Sequence, residues 1–453
     1  MQKAYIIGIA GGSAGGKTTF ARQLQTALAD IDVLLLSMDA YFKPEAERPS
    51  AVGSTGRRYR DDNCPEAFDL PRLRRDAAEA AESGGCRVLI VEGLLTLWDR
   101  ALYEGKFYVY FGVAPVLLVY YPFYFLTGAL PTDATLMGIL SVAGVAFMTL
   151  LFLELVRRFA PHAPFLLVLL GVVTLPAASL LYMLTACASF YYAAVLSGLV
   201  FCCAFLYFTL RAEAQKDGWR RKTLFALAGF FLAATVASRP NLALYFLIVL
   251  PLLIGVLVKR PNGLRSTLCD VAAFASPLVV CGGLLMVYNY ARFGSVFDFG
   301  SAYQITVADT SQYGFSLGKL FPAVWHYFLQ PPEIDCLFPY IHPVYDDLRS
   351  YGAVHISAAA FPAAAGVLLA FRSGWTDRVE KYTVRIVPAL CLLMAFFEIC
   401  FAGVHIRYAA DVLFPLLLFG IVLLCRFVGE RLQNGGSLAL SYTLAAGALV
   451  VSL

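Results

Sequence analysis

The chain has 453 residues, 59% of them hydrophobic and only 15% charged, with a mean hydropathy of +0.69. Soluble globular chains carry about 25% charged residues, so a wholly soluble protein is excluded. Of the 35 Lys/Arg and 31 Asp/Glu, 14 and 15 fall within residues 1–106, so a soluble-looking head precedes an apolar body, and the net charge of +4 comes from short basic loops in that body rather than from a nucleic-acid-binding patch.

The head opens with a short β-rich run, Ala4 to Ala10, then a glycine loop and an amphipathic stretch, Phe20 to Leu28. This is the pattern of strand, loop and helix. Gly11, Gly16, Lys17 and Thr18 match G-x-x-x-x-G-K-[ST], in which glycines let backbone N–H groups converge on phosphate oxygens at a helix N-terminus. The cradle comprises Gly11, Gly12, Ser13, Ala14, Gly15, Gly16, Lys17, Thr18 and Thr19. Lys17 reaches the β- and γ-phosphates in this pattern and Thr18 ligates Mg²⁺. A second strand, Val33–Ser37, leads into Met38-Asp39-Ala40-Tyr41-Phe42-Lys43 and places Asp39 past a strand's C-terminal edge. Asp39 is there the candidate acceptor of a proton from an attacking hydroxyl, or else a loop or capping carboxylate. A third strand, Arg87–Val91, ends in Glu92-Gly93, a second acid at the same edge and a candidate to hold Mg²⁺ or its water shell. All five histidines follow residue 160, so the head has no His-based metal site. The eleven cysteines include no C-x-x-C and read as small buried hydrophobes.

Gly8 to Thr19, Ser37 to Lys43, Asn63-Cys64-Pro65-Glu66-Ala67-Phe68-Asp69 and Val91 to Leu95 together resemble the uridine kinase and phosphoribulokinase branch of P-loop kinases over about the first 104 residues. The resemblance implies ATP as phosphoryl donor with Mg²⁺, a nucleoside-like acceptor, Asp39 as catalytic base beside Lys17, and Tyr41, Tyr59, Asn63 and Phe68 near the acceptor pocket. Asn63-Cys64 stands where many relatives have Asp-His. Those relatives continue into two more strands and an arginine lid, whereas this chain runs after Glu104 into Gly105 to Gly112 and an apolar stretch. Impaired phosphoryl transfer is the expected consequence. With later strands missing, the first strand, normally central in such a sheet, is expected to present an unpaired apolar edge.

Apolar runs at about 110–129, 134–156, 165–182, 189–210, 223–237, 240–258, 268–288, 354–371, 384–404, 411–428 and 438–453 are mostly long enough to cross about 30 Å of hydrocarbon. The expected fold is therefore an α/β P-loop domain with a partial parallel sheet over 1–104, then an all-α polytopic membrane domain of about ten or eleven helices over 105–453. Arg157-Arg158, the cluster from Arg211 to Lys222, Lys259 to Arg265, Arg372 to Lys381, and Arg426 with Arg431 occupy alternate loops. Those loops face the cytoplasm on the positive-inside rule, the loop at about 289–353 lies outside, and the head is cytoplasmic if the first run crosses. Arg239 and Arg407 sit at outer helix ends, where an arginine either snorkels to the interface or awaits an anionic ligand.

Gly105 to Gly112 with Pro115 and Pro122, Ser238-Arg239-Pro240-Asn241, Asn289 to Ser295 and Ile406-Arg407-Tyr408 resemble a bacterial multi-spanning glycosyltransferase that takes sugars from polyprenyl-phosphate carriers. The resemblance implies an inner-membrane location and a lipid-linked sugar as partner, and Arg239 and Arg407 are the candidates for an anionic ligand such as a lipid phosphate. Such enzymes carry an initial helix and a catalytic outer loop that the head here replaces, with Asp99 the nearest carboxylate. The join at Trp98 to Tyr103 has no linker and the chain stops inside an apolar run, the arrangement expected of a chimera of two incomplete parts. Three readings follow: a tethered ATP-dependent kinase, a membrane sugar transferase with a passenger head, and a nucleotide-sensing membrane protein without turnover.

Overall fold

The computed structural model describes residues 4–10, 17–52, 58–62, 64–96, 113–179, 181–186, 190–259, 263–297, 315–325, 333–334, 336, 341–342, 344–346, 349–351, 353–372, 375, 377–403, 406–434, 443 and 445–447. The chain divides into two compact units, Met1–Tyr108 and Val109–Leu453.

The first unit is a three-stranded parallel sheet with one helix packed against each face. β1 (Tyr5–Ala10) and β2 (Val33–Ser37) each pair with β5 (Val88–Gly93), giving the order β1-β5-β2. β5 is apolar over its first four residues and buried throughout, as a strand covered on both faces must be. Its side chains alternate. Val88 and Ile90 pack with Ile9 and Ala21 on the side of α1 (Lys17–Ala27), while Leu89 and Val91 join Leu73, Ala77 and Ala81 of α2 (Leu70–Glu82). Among the described residues β1 has a single strand neighbour, so β5 holds the central place and β1 presents an edge on which Tyr5 is 70% exposed. α2 starts where Asp69 accepts the Arg72 N–H at 3.1 Å and Pro71 supplies a preset φ in the first turn. A short hairpin, β3 (Ser50–Val52) with β4 (Arg58–Arg60), stands beside this layer.

Among its described residues the second unit is helical apart from two small hairpins, β6 (Glu333–Ile334) with β7 (Ile341–His342) and β8 (Val344–Asp346) with β9 (Arg349–Tyr351). Its helices in chain order begin with α3 (Val113–Pro115), a π-helical turn Val116–Tyr120, and α4 (Tyr121–Thr127). Pro122 has no N–H to give and crowds the carbonyl one turn back, and the widened turn before it accommodates both. Then come α5 (Asp133–Phe159), α6 (Phe165–Ala178), α7 (Leu181–Ala186), α8 (Phe190–Glu213), α9 (Trp219–Ser238), a 3₁₀ segment Pro240–Tyr245, and α10 (Phe246–Lys259). α11 (Gly263–Phe293), α12 (Leu320–Val324), α13 (Ala353–Phe371), α14 (Arg378–Ala402) and α15 (Ile406–Gln433) complete the set.

Among the described residues seven helices are long and apolar enough to cross a membrane, and three shorter apolar ones accompany them, Val113–Thr127, Phe165–Ala178 and Pro362–Phe371. The run at 438–453 lies almost wholly outside the described residues. α8 and α15 are the most enclosed, and the apolar stretch of α11 is buried nowhere. Close crossings depend on glycine. A Cβ at Gly420 would fall on the Pro362 carbonyl oxygen, so α13 and α15 touch backbone to backbone.

The basic ends of several helices meet. Arg158 pairs with Glu213 at 2.5 Å, Arg211 with Glu154 at 3.2 Å, and Arg426 lies over the Trp375 ring at 4.0 Å. Arg221, 2% exposed, donates from Nη1 to the carbonyls of Ala212, Glu213 and Gln215, each at 3.0 Å, and from Nε to Asp270 at 2.7 Å. It thereby closes the C-terminus of α8, whose last carbonyls have no helical partner.

Candidate functional site

All three strands of the head end at the same edge, because Ala10 is in register with Gly93 and Ser37 with Glu92. Ligands of open α/β sheets bind at that edge. α1 begins there at Lys17 with no acidic residue in its first turn, so the positive end of its dipole suits an anion. The loop residues Gly11, Gly12, Ser13, Ala14, Gly15 and Gly16 and the acceptor candidate Asn63 lie outside the described residues.

Thr18, Ser37 and Glu92 converge on one point. Ser37 Oγ donates to Glu92 Oε1 at 2.6 Å and Thr18 Oγ1 donates to the same oxygen at 3.2 Å. Glu92 is 1% exposed, and its second oxygen, Oε2, is buried with no hydrogen-bond partner among the described residues. A buried carboxylate oxygen left without a donor is costly. A divalent cation relieves that cost. Mg²⁺ takes one or two oxygen ligands from a protein and the rest from water and phosphate, so a threonine hydroxyl and a single carboxylate fit it. Among the described residues no group of three His, Cys, Asp or Glu forms an all-protein metal cage.

The strand carrying Glu92 runs two residues further than the apolar run, so Glu92 and Gly93 are paired strand residues rather than the start of a loop. A Cβ at Gly93 would collide with the Met38 side chain, which lets the 3₁₀ turn Met38–Tyr41 settle directly on β5. That turn exposes Asp39 and buries Met38 and Tyr41. Asp39 is thus presented to solvent at the edge that carries Lys17, Thr18 and Glu92. Thr19, exposed on the first turn of α1, follows Thr18.

The acceptor candidates separate. Tyr41 is 7% exposed and donates its hydroxyl to Asp76 of α2 at 3.1 Å, with the Arg72 guanidinium 5.3 Å from its ring. Burial first, and then Asp76, push the Tyr41 phenol above its ordinary range. Phe68, 2% exposed, stacks on Phe42 at 4.2 Å and forms a β-bridge with it. Both side chains are core members that anchor the segment carrying Asp39. The Tyr59 side chain lies outside the described residues.

Ser37 was not singled out from the sequence as a site residue, since a serine closing an apolar run reads as a strand terminator. Arg48 was missed for lack of any motif. It donates to the Lys43 carbonyl at 2.7 Å and to Asp62 at 3.2 Å, and it lies 4.4 Å from the centre of the Phe42 ring, tying the Asp39 segment to the β3–β4 hairpin. Burial works to raise the Asp62 carboxyl, but hydrogen bonds from Arg48 and Arg60 outweigh it and hold Asp62 below its ordinary 3.8.

In the second unit Arg239 is paired with Asp411 through Nε at 2.6 Å and lies 3.7 Å from Glu398, so its charge is already met within the protein. The Arg407 side chain lies outside the described residues.

Comparison with known proteins places the similarity in the head. The chain is 35% identical to uridine kinase from Lactobacillus helveticus (strain DPC 4571) over 135 residues, covering 24% of this chain and 62% of that protein. It is 30% identical to nicotinamide riboside kinase 1 from Rattus norvegicus over 122 residues, 22% of this chain and 60% of the relative. It is also 30% identical to uridine-cytidine kinase-like 1 from Mus musculus over 125 residues, 23% of this chain and 22% of that protein. The chain therefore spans about three-fifths of the length of the first two relatives. No protein-family model matches the chain. The head is kinase-like, with several apolar helices following it.

Proposed function

We propose that the head binds Mg-ATP and transfers its γ-phosphoryl group to a hydroxyl of a nucleoside-like acceptor. The observation that carries this reading is the convergence of the Thr18 and Ser37 hydroxyls on buried Glu92, whose Oε2 is left unpartnered at the edge where α1 begins. Lys17 and the first-turn amides of α1 would hold the phosphates, and Thr18 with Glu92 would hold Mg²⁺, which would supply positive charge against the phosphates. Asp39 accepts the acceptor's hydroxyl proton as its oxygen bonds to the γ-phosphorus, and the bond to the β-bridging oxygen breaks to leave ADP. Turnover is slow, since after Arg100 the sequence has no arginine until Arg157 to steady the charge on the transferred group.

The second unit is read as membrane-embedded, with its basic helix ends in the cytoplasm and the head on the side where ATP is supplied. The sugar-transferase resemblance gains no support of the same kind, because Arg239 already has a carboxylate partner.

The test is calorimetric titration of the full chain in detergent with Mg-ATP, alongside nucleoside-dependent ADP release. Wild type should bind and Lys17→Ala should lose at least tenfold in affinity. Asp39→Asn should bind normally and release no ADP. Absence of Mg-ATP binding by folded wild type overturns the reading, while binding without turnover leaves only the nucleotide-sensing form.

A further inference from the structure

The second unit holds a polar cluster, remote from its basic helix ends, that the phosphoryl-transfer reading does not use. Arg239 follows α9, Asn241 opens the 3₁₀ segment, Glu398 lies one turn before the end of α14, and Asp411 lies in the second turn of α15. Asp411 has no exposure, and its Oδ2 receives Arg239 Nε at 2.6 Å, Arg239 Nη2, and Asn241 Nδ2 at 3.1 Å. Tyr245 fixes the same turn by donating its hydroxyl to the Asp411 main-chain oxygen at 2.6 Å. The Asn241 amide also donates to Glu398 Oε1 at 2.5 Å, so its two hydrogens clamp the two carboxyl groups together. Arg239 Nη2 reaches Glu398 only at 3.7 Å.

Two deficits coincide. Among the described side chains one guanidinium faces two carboxylates, which leaves a buried negative charge without a counterpart there. Asp411 Oδ1, buried, has no hydrogen-bond donor among the described residues. Among the described side chains, the elements packed around the pair offer no second cation, Arg407 of α15 lying outside them. α8 contributes Cys202, α14 Cys391, α15 Tyr408, whose ring lies under the Arg239 guanidinium at 5.0 Å, and the 3₁₀ segment Tyr245. α10 carries its lone charged residue, Lys259, at the opposite end, and Lys319 is engaged with the Phe401 carbonyl at 2.7 Å. A single hydrogen between the carboxyl groups supplies both the missing charge and the missing donor.

We propose that Glu398 and Asp411 share one proton at neutral pH, making this cluster a proton-binding site of the second unit. The proton comes from water and binds the carboxylate pair, and no other bond forms or breaks. Glu398, with 15% of its side chain exposed against 1% for Asp411, is the group through which it enters and leaves. Such a site lets the helical unit respond to proton supply at the end away from its basic rim. The membrane reading enters only in naming that end; the site itself stands on the packing of this unit.

The test is infrared spectroscopy of the full chain in detergent micelles, with cooperative melting followed in parallel. Folded wild type should show, at neutral pH, a protonated-carboxyl band worth one group per chain that disappears reversibly on alkalinisation. Glu398→Gln, which keeps the hydrogen-bonding shape of the protonated acid, should melt like wild type and lack the band, and Asp411→Asn should lack it as well. No band at neutral pH in folded wild type overturns the proposal. So does a band that persists in both variants, or stabilisation by sodium but not choline in place of the band. None of these outcomes depends on whether the head binds nucleotide.

Discussion

Glu92 is where the head's chemistry and its stability meet. Two hydroxyls bond one of its oxygens and none bonds the other, so each neighbour has a separable effect. Ser37→Ala removes a short hydrogen bond to a buried carboxylate and should destabilise the head by about 1.5–3 kcal/mol, read as a lower first melting transition. Glu92→Gln should fold and still bind ATP, but the gain in affinity on adding Mg²⁺ should vanish in the titration. Asp62 supplies a pH signature. Its carboxyl is held below the ordinary 3.8 in the folded chain, so its bonds to Arg48 and Arg60 contribute fully above that value and are lost as pH falls through the lowered one. Melting of wild type and Asp62→Asn should differ at neutral pH and converge in strong acid. Of these residues, Thr18 and Glu92 were legible from motif and strand-end position. Ser37 and Arg48 were not, because their importance comes from partners 55 and 14 residues away that no local pattern joins. Tyr41 and Phe68 were read as pocket residues by resemblance, and the fold places them in the core beneath Asp39.

Among the elements, periodicity and apolar length foretold type better than extent. The run at 384–404 became α14, Arg378–Ala402, because Asp377 accepts the Val379 N–H at 2.6 Å and carries the helix through a polar first turn that hydropathy leaves out. The 165–182 run is shared between α6, which carries Pro176 inside it, and the start of α7. Glycines at crossings give no hydropathy signal at all. Gly420→Leu should separate α13 from α15 and cost more than the about 1–3 kcal/mol usual for overpacking, since it meets backbone rather than a yielding side chain. Reduced detergent-resistant folding on gel filtration is the readout. Gly93→Ala, by contrast, meets the Met38 side chain. It should shift the Asp39 turn and slow ADP release more than it weakens Mg-ATP binding.

For the whole molecule, the separation of charge predicts sidedness. In a chain whose eleven native cysteines are replaced by serine, single cysteines at the positions of Lys216 or Arg372 should react with an impermeant maleimide only after spheroplasts are opened, and one at that of Phe297 should react in intact ones; the reverse pattern would invert the orientation. That the chain holds a soluble-type head and an apolar body was plain from composition, whereas the strand order was not, since pairing partners lie far apart in sequence. That order also has a consequence for synthesis. Among the described residues β1 and β2 bond only to β5 and never to each other, so there neither finds a partner until residues 88–93 have left the ribosome. β1 is therefore among the first segments translated and among the last to be pinned in place. By then the ribosomal tunnel already holds the oily stretch beginning at Val113, and closure of the sheet competes in time with capture of the nascent chain by the insertion machinery.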